Sequence, residues 1–175
     1  MTDDAWLPHD WVHPERVELP TGHHLRPIRE SDLDLDYPAV MGSQERLWSI
    51  FGKVWRWPPA TMTREQDLAD LARHVQEMER HGSFNYALFD AEETALLGCV
   101  YVDPPLKVGA DADVSWWVVD ELADTVIEAA LINIVPAWIA RDWPFREPRF
   151  LATPGAWDEW LGLADRSTVP DTYHG

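Results

Sequence analysis

The run from Asp113 to Trp143, DVSWWVVDELADTVIEAALINIVPAWIARDW, constrains this chain more than any other stretch. Val114–Val119 hold three valines and two tryptophans, residues that suit a pleated and largely buried strand. A short acidic turn follows. From about Asp124 the pattern becomes helical. Leu122, Val126, Ala130, Ile134 and Trp138 recur at four-residue steps, and Ile127, Leu131, Val135 and Ile139 form the adjacent row. With apolar residues around most of its circumference, the helix is expected to be buried. Pro136 lacks an N–H and is expected to kink or end the first segment near Val135. A strand feeding a helix is half of a βαβ unit. The unpaired amides at the helix start carry partial positive charge, so this kind of junction can hold an anion.

The remaining 144 positions are read around this unit, in a chain whose 175 residues fit one domain with an extension. Pro8, Pro14 and Pro20 break residues 1–22 into extended pieces, read as an arm laid over the domain by Trp6 and Trp11. A strand over Leu25–Arg29 leads to a helix capped by Ser31 and interrupted at Pro38, then to a short helix over Ser43–Phe51. KVWRWPPATM reads as a loop that packs down as a lid or lines a pocket through Trp55 and Trp57. Thr63 and Gln66 form a capping box for a helix with Leu68, Leu71, Ala72, Val75 and Met78 on one stripe, ended by Gly82. Phe84–Asp90 and Ala95–Val102 read as a hairpin, and a loop of about ten residues returns the chain to Asp113. Arg149–Ala152 is a candidate last strand. A short helix after Pro154 and Gly155 carries Trp157 and Trp160, and a polar tail occupies 164–175. The expected class is α+β, one mixed sheet in a single domain over 23–163 with a meander in the middle.

A formal charge of -17 argues against nucleic acid and anionic membrane surfaces as partners, because both demand clustered Lys and Arg. It serves solubility, or it draws in a cationic partner or an amine substrate. Eleven tryptophans fill a core or line a binding site, and their number favours a homodimer. The single cysteine, Cys99, lies in an apolar run and is expected to be a small core side chain. It suits a reducing compartment, and the start of the chain lacks a secretory pattern, so a cytoplasmic location is expected. No apolar run reaches the roughly 20 residues that span a bilayer. The sequence shows no Ser-His-Asp order, no phosphate loop and no metal spacing among its histidines, so no metal is expected.

Three segments together resemble a known family. LRPIRESD at 25–32, LLGCVYV at 96–102 and VSWWVVDEL at 114–122 feeding a helix are similar to the first, third and fourth strands of the GNAT N-acetyltransferase superfamily. The resemblance covers about residues 24–152. It implies a GNAT-like acyl-CoA N-acyltransferase fold with a truncated C-terminal part, splayed between its fourth and fifth strands. Acetyl-CoA would sit in the splay with its pyrophosphate on the turn before the helix. It sets Trp117, Val118, Val119, Thr125 and Val126 against the cofactor, and Trp55, Trp57 and Trp116 around an amine acceptor. Family members use a carboxylate or water relay as base and a tyrosine near the last helix as acid. Asp113 and Asp103 are the carboxylates so positioned. GAWDEWLGL has no tyrosine, which leaves Tyr101 as the nearest candidate acid.

The departure falls on the turn. Members carry Gln or Arg, two unspecified residues, Gly, any residue, then Gly or Ala; here the stretch is Asp120, Glu121, Leu122, Ala123, Asp124 and Thr125. Glycine lets backbone approach phosphate and a basic residue offsets its charge. Asp111, Asp113, Asp120, Glu121, Asp124 and Glu128 stand between Val108 and Ala140 with no Lys or Arg among them. A carboxylate about 6 Å from a phosphate costs roughly 3 kcal/mol at an effective dielectric near 20, against about 0.3–1 kcal/mol returned by a helix N-terminus. Two functions follow. One is an acetyl-CoA-dependent N-acetyltransferase acting on a cationic small molecule or peptide amine. The other is a catalytically degenerate GNAT-fold protein serving as a binding or assembly module, with weak affinity for acetyl-CoA.

Overall fold

A computed structural model describes residues 6–166. Six strands lie in sequence order in one sheet: β1 (Val17–Glu18), β2 (His24–Pro27), β3 (Phe84–Phe89), β4 (Leu96–Asp103), β5 (Ala112–Val118) and β6 (Pro148–Phe150). Neighbours pair antiparallel up to β5, and β5 pairs with β6 in parallel. That last pairing needs a crossover, which α4 (Val126–Asp142) supplies. The expected meander is therefore present, and the arm contributes the edge strand β1 as well as a cover.

Strand alternation sorts the side chains to two faces. Tyr86, Val100 and Trp116 are in register on one face, where the Trp138 ring of α4 meets Tyr86 at 4.9 Å. Trp11 and Trp143 close the end of that face, 4.7 Å apart, and the Tyr86 hydroxyl donates to the Pro14 carbonyl at 2.7 Å. The opposite face carries Cys99, Tyr101, Asp103, Asp113, Ser115 and Trp117. It is covered by α1 (Leu33–Gly42), α2 (Gln44–Trp55) and α3 (Arg64–Glu79). Cys99 is buried there, and burial pushes its thiol well up. Where β4 crosses β5 most closely, a Cβ on Gly98 would stand 2.1 Å from the Trp117 carbonyl oxygen, so only glycine permits this pairing.

Several boundaries differ from the sequence expectation. A 3₁₀ turn over Glu30–Asp32 precedes α1 and contains Ser31; Asp32 braces that turn by accepting from the Arg29 amide at 2.8 Å and stands at the N-cap position of α1 without a side-chain capping bond. Pro38 does not stop α1, and Pro136 does not stop α4. Each forgoes one bond, to the carbonyls of Asp34 and Ile132, and both those residues lie on exposed faces where water can replace it. α2 runs four residues past Phe51 because Trp55 stacks on Phe51 at 4.7 Å, one turn apart. α4 is not buried all round: Leu131, Val135, Trp138 and Ile139 face the sheet, while Val126 is 82% and Ile132 51% exposed. The capping box of α3 is present as expected. Of the polar tail, Val108 and Arg166 bond across to Ala164 and Leu106, and 167–175 lie outside the described residues, as do 1–5 of the arm. No described helix is long and apolar enough to cross a membrane.

Candidate functional site

Two cavities flank β5 and share Trp157, which α5 (Ala156–Leu161) places between them. The first, about 840 Å³, opens on the helical face of the sheet. Its floor is built by register. Asp103 ends β4 and Asp113 sits directly opposite near the start of β5, so both carboxylates project to one face. Ser83 donates to Asp103, and Trp160 Nε1 donates to Asp113 Oδ2 at 3.0 Å. Burial pushes Asp103 up to about 6, while the Ser83 bond and His74 pull it down and Glu77 and Asp113 push it further up. Burial also raises Asp113, against the pull of the Trp160 bond and the Arg149 guanidinium 3.5 Å away. An Asp103 of this acidity is mostly ionised at neutral pH and still basic enough to accept a proton.

Tyr101 lies two residues before Asp103 on the same face, with Trp55 against its ring at 5.2 Å. Its oxygen accepts from Trp117 Nε1 at 2.9 Å, and burial holds the phenol well above its ordinary value. Trp55 and Trp57 both line this cavity, one as the last residue of α2 and the other just beyond. The structure therefore gathers Asp103, Asp113, Tyr101, Trp55 and Trp57 around one space. Trp116 points to the other face and lines the second cavity instead.

That second cavity, about 570 Å³, is the splay. The β5–β6 ladder ends at Val114 opposite Phe150, with one further bond from the Leu151 amide to the Val114 carbonyl, and beyond it β5 continues alone. Trp117 and Thr125 line the wedge. Val118 and Val119 are buried beside it, and Val126 stands exposed at the first turn of α4. Of the turn acids, Asp124 and Glu128 line the wedge, whereas Glu121 is exposed and does not. Asp124 holds a left-handed φ of 60°, a conformation glycine adopts freely, and its amide donates to Glu128 Oε2 at 2.6 Å.

The positive charge missing from the turn arrives from α2. Arg46 Nε donates to Asp120 Oδ1 at 2.7 Å, and its guanidinium also donates to the Val118 carbonyl on the open edge of β5. Ser43, at the foot of the same helix, accepts from the Asp120 amide at 2.9 Å. Lys53, two turns further along α2, lines the wedge and pairs with Asp158 at 3.0 Å. No local sequence signal marked Arg46 or Lys53, because their partners Asp120 and Asp158 lie 74 and 105 positions away. Ser83, Trp157 and Trp160 were likewise reached only through the fold. Among the described residues no group of His, Cys, Asp and Glu is arranged to hold a metal ion.

No family model and no curated protein matches the sequence. Solved structures do. An acetyltransferase that modifies the N-terminal serine of the 50S ribosomal subunit protein L7/L12 of Salmonella typhimurium superposes with a TM-score of 0.61 at 15% identity, over 79% of this chain and 74% of that one. The ribosomal-protein-S5-alanine acetyltransferase of Vibrio fischeri gives 0.57 at 16% identity, over 84% and 80%. A ribosomal L7/L12 alpha-N-protein acetyltransferase solved in complex with coenzyme A gives 0.56 at 16% identity, over 85% and 81%. The chain has the GNAT fold, an α+β arrangement in which a mixed sheet opens between its last two strands.

Proposed function

We propose that the protein is a GNAT-like N-acetyltransferase that takes acetyl-CoA in the β5–β6 wedge and an amine in the acidic, indole-walled cavity beside it. The observation that carries this reading is the pair of facing carboxylates, Asp103 and Asp113, on the floor of a cavity that meets the wedge at Trp157. Acetyl-CoA, when bound, supplies an acetyl group activated as a thioester. Arg46 and Lys53 hold its phosphates, and Trp116, Trp117 and Thr125 flank its arm. Asp113 and Asp103 attract an ammonium, and Asp103 accepts its proton, freeing the nitrogen lone pair for attack. Trp157 and Trp55 exclude water from the junction. Tyr101, whose oxygen accepts from Trp117 and whose phenol burial holds well above its ordinary value, would be the residue to supply a proton to the departing thiolate.

The second reading, a degenerate fold that binds without catalysis, draws on Asp124 and Glu128 in the wedge. Calorimetric titration with acetyl-CoA separates the two. Micromolar binding with thiol release in the presence of amines supports the enzyme. An absence of binding at millimolar acetyl-CoA would leave only the binding module.

A further inference from the structure

We infer that the acceptor is an amino carboxylate, a zwitterion carrying a carboxylate as well as its amine. This rests on the reading of the first cavity as the acceptor site. Most charged side chains lining that cavity have an ion-pair partner. Arg73 pairs with Asp70 at 3.3 Å and with Glu77 at 3.2 Å, and Glu77 also meets His74 at 3.5 Å. Asp113 faces Arg149. Two charges stand apart. Asp103 has a hydroxyl partner, Ser83, but no cation within ion-pair distance. The Arg56 side chain makes no hydrogen bond or ion pair among the described residues, while its backbone amide donates to the Gly52 carbonyl at 3.1 Å. The cavity thus presents one group of each sign without an ion-pair partner, and the ligand that completes both carries the opposite pair.

The setting of Arg56 supports a role in recognition over one in folding. It caps the C-terminus of α2 with φ 55° and ψ 36°, the left-handed conformation that glycine takes without cost and other residues take at roughly 1 kcal/mol. Trp55 and Trp57 on either side both line the cavity, which fixes the backbone of Arg56 at its mouth while leaving the guanidinium exposed. A planar guanidinium matches a carboxylate with two parallel bonds. The indoles of Trp57, Trp157 and Trp160 suit an apolar body between the two charged ends.

The test uses the full chain and calorimetry without cofactor. The probes are ω-amino carboxylates from β-alanine to ε-aminocaproate and a set of α-amino acids, each beside its methyl ester and the matched diamine. At least one amino carboxylate is expected to bind about tenfold or more tighter than its ester and its diamine. Arg56→Gln is expected to erase that ratio and leave ester affinity unchanged. Arg56→Gly is expected to erase it as well with a melting temperature equal to or above wild type, so lost binding will not reflect lost folding. Among the ω-amino carboxylates, the best chain length reads the span between Asp103 and Arg56. Esters or diamines binding as tightly as the zwitterions, or an Arg56→Gln protein that keeps the preference, would overturn the inference and leave the acceptor cavity standing. If no amine binds at all, both fall together.

Discussion

Asp103→Asn separates the energetics of this site from its chemistry. A carboxyl moved from its ordinary 3.8 to about 6 disfavours its charged form in the folded protein by about 3 kcal/mol. The carboxylate borders a cavity and is only partly buried, so this figure is an upper bound. The folded state binds the proton more tightly than the unfolded chain does. The stability it contributes is therefore complete below the unfolded value, near 3.8, and is lost as pH rises through about 6. Asparagine cannot ionise and still accepts from Ser83. The variant is expected to match wild type near pH 4 and to exceed it at about pH 8 by up to 3 kcal/mol, a rise of up to about 6–12 °C in melting temperature for a chain of this size. Urea denaturation across that range measures the gap. In the same variant acetyl transfer is expected to fall by about 10²–10⁴-fold, the usual worth of a general base. A variant no more stable than wild type at about pH 8, or a gap that ignores pH, would refute the assignment of a desolvated, ionising Asp103.

Other perturbations test the frame around it. Arg26 is buried over the Phe89 ring, 4.2 Å from its centroid, and bonds Asp32 through both terminal nitrogens at 2.9 and 2.8 Å, with Glu93 on its other side. Asp32→Asn leaves that charge half-compensated and is expected to cost about 3–5 kcal/mol in urea denaturation, and a loss below about 1 kcal/mol would show the pair is not a structural hub. Gly98→Ala drives a methyl into the Trp117 carbonyl and is expected to cost at least about 3 kcal/mol or prevent soluble expression, whereas a normally stable protein would mean the β4–β5 register is wrong. Arg46→Ala is expected to weaken acetyl-CoA by about tenfold in calorimetry, and unchanged affinity would remove α2 from the cofactor site. Asp124→Asn is expected to move affinity the other way, by up to about tenfold, in the same titration.

What the sequence disclosed tracks how local each signal is. The 2.0 and 3.6 periods recur within a few residues, so the hairpin, β5 and α4 could be read directly, and so could the missing glycine after Val119. Neither proline ended its helix, because the carbonyls they free belong to Asp34 and Ile132 on exposed faces, and a sequence does not record that exposure. Trp116 and Trp117 were set apart in the sequence, one at the acceptor and one at the cofactor, and as adjacent strand residues they do point to opposite faces, yet both border the wedge because β5 runs on there without a partner. Asp103 and Asp113 were each visible alone, but their pairing follows from β4–β5 register. Arg46 was out of reach. Its partner Asp120 lies 74 positions away, and only the docking of the α1–α2 corner by Ser43 brings them together.

The sheet ends in β1 of two residues and β6 of three. A rim this short gives a neighbouring molecule only one or two backbone bonds from which to extend a ladder. The longer bare rim, beyond Val114 on β5, has its Val118 carbonyl already taken by Arg46. With a charge of -17 adding mutual repulsion, concentrated solutions of this tryptophan-rich protein are expected to resist growth into fibrils, even where the indoles themselves attract.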